Sequence, residues 1–206
     1  RREPFLLWWD SFDPHEPWTP PREFDRYTDP SYTGKKIILP CGGLAADHFT
    51  PEEIAYTRGL YAGEVAYVDH YVGQLLNKLE ELGYMENTLI VLVADHGHPL
   101  ADHGKFLKGG DRMYSELLKV PCMIRFPGGE YGGQRLTALA QFHDLLPTIM
   151  EAIGMGNNTE AMHGKSLMPL IRGEVSSIRD VIVTGYHAAL DRCIRTEEWS
   201  YIRRPG

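Results

Sequence analysis

Cysteine is scarce in this chain: three in 206 residues, scattered so that they give neither a disulfide framework nor the spacing of a zinc site. An excess of basic charge is missing too. Lys and Arg number 21 against 28 Asp and Glu, for a formal net charge of -7, which argues against nucleic acid or an anionic membrane surface as the main partner. No apolar stretch is long enough to cross a bilayer, and no repeat or low-complexity tract is visible. The sequence opens Arg1-Arg2-Glu3, and it leaves the compartment open between cytoplasmic, periplasmic and secreted. Asn157-Asn158-Thr159 matches a glycosylation acceptor, which matters only in a protein secreted from a eukaryote. With 43% hydrophobic and 24% charged residues, the composition is that of a globular sequence long enough for one core.

The richest stretch runs from Thr88 to Gly128. Leu89 to Ala94 is a continuous apolar run, the pattern of a strand buried on both faces of a mostly parallel sheet. Asp95 and His96 follow directly. A carboxylate and an imidazole at the carboxyl end of a buried strand face the crevice where such sheets bind ligands, and both are donors for a divalent cation. Gly97 and Gly104 let the backbone bend close to a bound group, and Lys105 and Lys108 add positive charge suited to phosphate or sulfate. The same pair serves equally well as a helix cap or a loop hydrogen-bonding pair, and two loop lysines are as readily only solvated.

A second polar cluster lies near the start, in PFLLWWDSFDPHEPWTPP. A strand-like run, Phe5 to Trp9, leads into Asp13, His15 and Glu16 held between prolines, which predicts a stiff, extended loop with His15 in a defined direction. Such a histidine can donate to a leaving-group oxygen or a bound anion. The alternative is plain aromatic and proline packing, with His15 capping a turn.

Between the clusters, Arg22 to Asp47 reads as a long surface excursion, of a length that is usually functional. Thr50-Pro51-Glu52-Glu53 is a helix start, and apolar residues then recur at three- and four-residue spacing from Ile54 to Leu82, giving one long amphipathic helix packed on the sheet and ending at Gly83. Asp69 and His70 read as polar-face residues of that helix. Joining the Phe5 strand to the Leu89 strand, it makes a right-handed βαβ crossover that opens both strand ends on one sheet edge, with His15 near Asp95, His96 and Lys108. Pro121 to Phe126 reads as a strand, Asp144 to Ile153 as a helix capped by Asp144, and Val181 to Thr184 and Cys193 to Ile202 as later strands.

Taken together, these segments resemble the sulfatase family of the alkaline-phosphatase superfamily. PFLLWWDSFDPHEPWTPP is similar to that family's PHxP segment, and LIVLVADHGHPLADHGKFLKGG with LLKVPCMIRFPG is similar to its DHG, lysine and PG segment. LYAGEVAYVDHYVGQLLNKLEELGYMENTLIV, ALAQFHDLLPTIMEAIG and HGKSLMPLIRGE follow the family's order, so the resemblance covers Pro4 to about Arg203. It implies an α/β fold with a mostly parallel sheet flanked by helices: residues 1–185 as the C-terminal part of the α/β domain, and 186–206 as the start of a small C-terminal subdomain. It implies a sulfuric ester hydrolase acting on a sulfate-ester small molecule or carbohydrate. Asp95 and His96 would ligate a divalent cation, most often Ca2+ with Mn2+ or Zn2+ as alternatives. His15 would contact the sulfate or ester oxygen, and Lys108 would bind the sulfate, with Lys105 its competitor; His98 and His103 read as loop residues.

Two parts of the family pattern are missing. The nucleophile of sulfatases is a formylglycine made from C/S-x-P/A-x-R, and Cys41, Cys122 and Cys193 all lie in other contexts. A pair of adjacent metal-binding aspartates is absent as well. The resemblance therefore implies the C-terminal part of a sulfatase, inactive alone. A phosphodiesterase or phosphonate monoester hydrolase of the same superfamily, or a folded module without catalysis, are the other readings.

Overall fold

The computed structural model describes residues 4–156, 161–186 and 191–204, so the Asn157-Asn158-Thr159 acceptor lies outside the described residues. The chain divides into two compact units, the first Arg1–Tyr84 with Pro99–Leu107 and the second Met85–His98 with Lys108–Gly206.

The first unit is built on helix α2, Pro51–Glu81, preceded by the single turn α1, Ala45–His48. Its start follows the sequence reading closely. Thr50 accepts from the Glu53 backbone N–H, the Glu53 carboxylate accepts from the Thr50 N–H at 2.8 Å, and Pro51 occupies the first turn. The buried face, Tyr56 and Leu60, joins Trp18, Ala45 and Phe106 in one core. Gly59 and Gly63 let the chain of the proline loop cross the helix, for a Cβ at Gly59 would lie 2.6 Å from the Tyr27 carbonyl oxygen. The excursion from Arg22 to Asp47 is almost wholly turns and irregular chain, as expected, and Asp69 and His70 are exposed on the helix. Segment Pro99–Leu107 is tied to α2 by Arg58, which donates to the Leu100 carbonyl at 2.7 Å and pairs with Asp102 at 3.2 Å.

The second unit holds the sheets. Strand β1, Ile90–Val93, pairs with β2, Cys122–Arg125, in the register Ile90 to Arg125 and Val93 to Cys122. Helix α3, Ser115–Leu118, lies between them in sequence. After α4, Leu145–Ala152, and α5, Met168–Ile171, a meander of β3, Ile182–Gly185, β4, Arg192–Arg195, and β5, Ser200–Arg203, closes the chain. Its core gathers Phe126, Leu167, Met168, Leu170 and Ile171.

All strand pairs among the described residues are antiparallel. Three sequence expectations need correction. The parallel reading depended on a strand at Phe5–Trp9. That segment takes no regular secondary structure, and Leu6 and Trp8 are 90% and 83% exposed, because a strand needs a hydrogen-bonding partner that its own side chains cannot specify. Strand β1 is half-buried along its whole length instead of buried on both faces. Finally, Cys193 to Ile202 is two strands, not one: Thr196 N–H donates to the Trp199 carbonyl at 2.9 Å and the Thr196 hydroxyl accepts from the Trp199 N–H, closing a hairpin turn.

Candidate active site

Strand β1 delivers Asp95 and His96 into the loop as the apolar run implies. Asp95 Oδ1 accepts from the His96 N–H at 2.8 Å, and Oδ2 lies 3.5 Å from His96 Nε2. The imidazole Nδ1 bonds the Gly97 carbonyl at 2.8 Å, so Nδ1–H is the donor and Nε2 is the nitrogen beside the carboxylate. That is the arrangement metal-binding histidines adopt, with the far nitrogen tied to a carbonyl and the near one directed at the ion. An oxygen and a nitrogen 3.5 Å apart fit adjacent ligand positions of a divalent cation, whose bonds run about 2.0–2.5 Å. The Asp95 side chain is 84% exposed and that of His96 33%, leaving room for further ligands. Among the described residues no group of three or more His, Cys, Asp or Glu gathers to hold a metal.

The loop is pressed into shape from below. Gly97 N–H donates to the Leu117 carbonyl of α3 at 2.8 Å, and a Cβ at Gly97 would stand 2.0 Å from the Glu116 carbonyl oxygen. Glycine is required here by close approach of two backbones, not by an unusual φ.

The two lysines part company. Lys105 belongs to the first unit, where it bridges Leu44, and its carbonyl accepts from Ala101 N–H at 3.0 Å. Lys108 belongs to the second unit with Asp95 and His96. Leu107, just before it, has φ 66°, a left-handed conformation costly for a bulky side chain and one that turns the chain sharply into Lys108.

His15 lies in the first unit. The expected extended loop is instead a tight turn, with cis peptides at Asp13-Pro14 and Glu16-Pro17 and a bond from His15 N–H to the Phe12 carbonyl at 3.0 Å. The Phe12 ring stacks on the imidazole at 4.4 Å, and Nδ1 bonds the Glu16 carbonyl at 2.7 Å. Trp18 anchors the turn: it is fully buried, its Nε1–H donates to the Pro14 carbonyl at 3.1 Å, and its ring meets Tyr61 edge-on. Trp18 thus sits in the core, while the His15 side chain is a third exposed. Glu64, buried in α2, accepts from Thr19 N–H at 2.6 Å at the end of the same turn. Burial pushes its carboxyl above the usual range, the Asp13 charge adds to this, and the Thr19 bond pulls the other way.

Asp144 stands at the N-cap of α4 as the sequence implied, but its side chain does other work. Its side chain makes no cap bond to α4; it accepts from Gln141 N–H at 2.6 Å and Lys165 N–H at 2.8 Å, and both terminal nitrogens of Arg179 donate to it. Burial alone would raise this carboxyl, but Arg179 and the two backbone donors more than offset that and hold it below the usual range. The pair, with Asp144 fully buried and Arg179 nearly so, ties together three loops of the second unit. An Asp before an apolar helix gives no sign of a partner 35 residues away.

With this geometry in place, the sulfatase family profile matches residues 1–155. The chain belongs to the sulfatase family. An arylsulfatase of Clostridium perfringens is 27% identical over 196 residues, covering 87% of this chain and 40% of the relative. The N-acetylglucosamine-6-O-sulfatase of Bacteroides thetaiotaomicron is 33% identical over 127 residues, covering 62% and 22%. Among solved structures, the phosphonate monoester hydrolase of Agrobacterium radiobacter superposes with a TM-score of 0.67 at 26% identity, over 77% of this chain and 35% of that one. The chain thus spans two fifths or less of the length of the curated sulfatases it matches here. Its structural neighbours carry the alkaline-phosphatase-like sulfatase fold, of which these residues are a part.

Proposed function

We propose that this chain forms part of the active site of a sulfuric ester hydrolase acting on a sulfate-ester small molecule or carbohydrate. The observation that carries the reading is the Asp95 and His96 pair, with Oδ2 and Nε2 3.5 Å apart and Nδ1 fixed by the Gly97 carbonyl, in a chain whose family is sulfatase. Asp95 and His96 would hold a divalent cation, Ca2+ first and Mn2+ or Zn2+ as alternatives, and that cation would supply positive charge to the sulfate oxygens. Lys108 adds a second positive charge to those oxygens as negative charge grows on the ester in the transition state. His15 Nδ1 is committed to the Glu16 carbonyl, so a proton given to the leaving oxygen passes at Nε2. A mostly parallel sheet in the whole domain and the small subdomain at 186–206 are also part of this proposal. The nucleophile, a formylglycine, belongs to a motif outside this sequence.

A phosphonate monoester hydrolase is the second reading, favoured by the structural neighbour of that activity. One experiment separates them: hydrolysis of matched nitrophenyl sulfate and nitrophenyl phosphonate monoester by the full-length enzyme, with and without chelator. Preference for the sulfate with loss on chelation supports the first reading. Preference for the phosphonate replaces it.

A further inference from the structure

The first unit contains a cavity of about 380 Å3 whose wall includes Lys35, Lys36, Ile38, Leu39, His48 and Phe49, and no carboxylate residue lines it. In a chain of net charge -7 that is a locally inverted field. Among the described residues neither Lys35 nor Lys36 forms an ion pair, although adjacent lysines repel each other.

The strand of chain that carries them is braced. Ile37 is buried at 6% exposure, and its carbonyl accepts from the Thr57 hydroxyl at 3.3 Å. The Ile38 carbonyl accepts from Trp18 N–H at 2.7 Å, and the Lys35 carbonyl accepts from the Tyr32 hydroxyl at 2.9 Å. The Tyr32 ring is itself stacked on Tyr56 of α2 at 4.5 Å. Across the cavity, the His48 ring lies over Gly43, where a Cβ would come within 2.7 Å of Nε2. Two exposed lysines on a braced backbone, an imidazole and the exposed apolar side chains of Ile38 and Leu39 make a surface for an anionic group carried on a ring with an apolar face.

The Trp18 to Ile38 hydrogen bond also ties this wall to the turn that carries His15. Trp18 is three positions along from His15 and Ile38 two along from Lys36, so the α-carbons of His15 and Lys36 are at most about 25 Å apart by chain length. A short oligosaccharide can reach across any distance within that limit.

We propose that Lys35, Lys36 and His48 form a subsite for a further sulfate group on a polysulfated oligosaccharide, a proposal that rests on the sulfatase reading above. The lysines pair with the sulfate oxygens, His48 donates a hydrogen bond, and the ring that bears the sulfate lies on Ile38 and Leu39.

The test is calorimetric titration of the full-length protein with a size-defined heparin hexasaccharide and with its desulfated counterpart, comparing wild type, K35Q/K36Q and K35R/K36R. The sulfated probe should bind the glutamine variant about tenfold more weakly, the effect of losing two exposed charge pairs, and with a shallower dependence on salt. The arginine variant should keep its affinity, and the desulfated probe should bind wild type weakly. Equal affinity in wild type and K35Q/K36Q overturns the subsite, as does equal binding of the desulfated probe, or loss of binding in both variants alike. Binding needs no turnover. Failure of the sulfatase reading, seen as no hydrolysis of any sulfate ester, is thus a separate result from failure of the subsite.

Discussion

His96 Nε2 stands 3.5 Å from Asp95 Oδ2, and that spacing is held by backbone neither side chain owns: the Gly97 carbonyl fixes the imidazole, and Gly97 itself rests on the Leu117 carbonyl of α3. Gly97→Ala would drive a Cβ to 2.0 Å from the Glu116 oxygen, a clash with main chain that no rotamer relieves. The substitution should cost about 1–3 kcal/mol, as overpacking does, and shift the imidazole of His96. Thermal melting and the His96 ring resonances check this. An unchanged melting temperature with unmoved resonances would remove Gly97 from the support of the pair.

Much of this was legible in the residues themselves. The capping box at Thr50, the apolar run of β1 and the polar pair after it are local signals, because helix caps and strand ends are written in adjacent residues. What stayed hidden depends on distant partners. Phe5–Trp9 has the pattern of a strand, but a strand is a pairing and not a composition. Asp144 has the pattern of a cap, but its charge is answered by Arg179, 35 residues on. Gly97 looked like a hinge for ligand approach, and its reason is the α3 backbone beneath it.

The Asp144 and Arg179 pair gives a pH-dependent prediction. Because the folded-state carboxyl lies below its ordinary value of 3.8, the pair contributes stability in full above that value and loses it as pH falls through the lower folded one. Asp144→Asn leaves the largely covered Arg179 without its charge partner and should cost about 3–5 kcal/mol at neutral pH. The gap between wild type and variant should then narrow below about pH 4. Denaturant melts of both proteins across pH 3–7 measure it, and a gap independent of pH would mean the charge contributes nothing.

Lys108 and Lys105 offer a direct comparison in the full-length enzyme. Lys108→Ala should slow sulfate-ester hydrolysis by about a hundred- to a thousandfold, as loss of one oxyanion donor does. Lys105→Ala, whose backbone is tied into the first unit, should do much less. Equal losses, or a larger one for Lys105, would reverse the assignment.

Residues 1–206 on their own should show no sulfatase turnover, since the sequence contains no C/S-x-P/A-x-R motif. They should also bind calcium weakly, because on the proposed reading Asp95 and His96 would supply two donors to an ion that takes six to eight ligands. Chelator-sensitive turnover by this polypeptide, or tight calcium binding by calorimetry, would contradict the division of the site.

His15 yields the sharpest contrast between catalysis and packing. An acid that protonates the departing oxygen matters most when the leaving group is poor, since a good one departs as a stable anion without help. In the full-length enzyme, His15→Ala should therefore slow an alkyl or sugar sulfate far more than a nitrophenyl sulfate. If His15 only braces the turn through Phe12 and the Glu16 carbonyl, the two substrates should suffer alike and the melting temperature should fall. Trp18→Ala is the control for that outcome: it removes a fully buried ring and should cost about 3–5 kcal/mol of stability. A His15→Ala enzyme that melts like wild type yet discriminates between leaving groups places the imidazole at the ester oxygen; one that resembles Trp18→Ala in stability and treats both substrates equally takes it out of the chemistry.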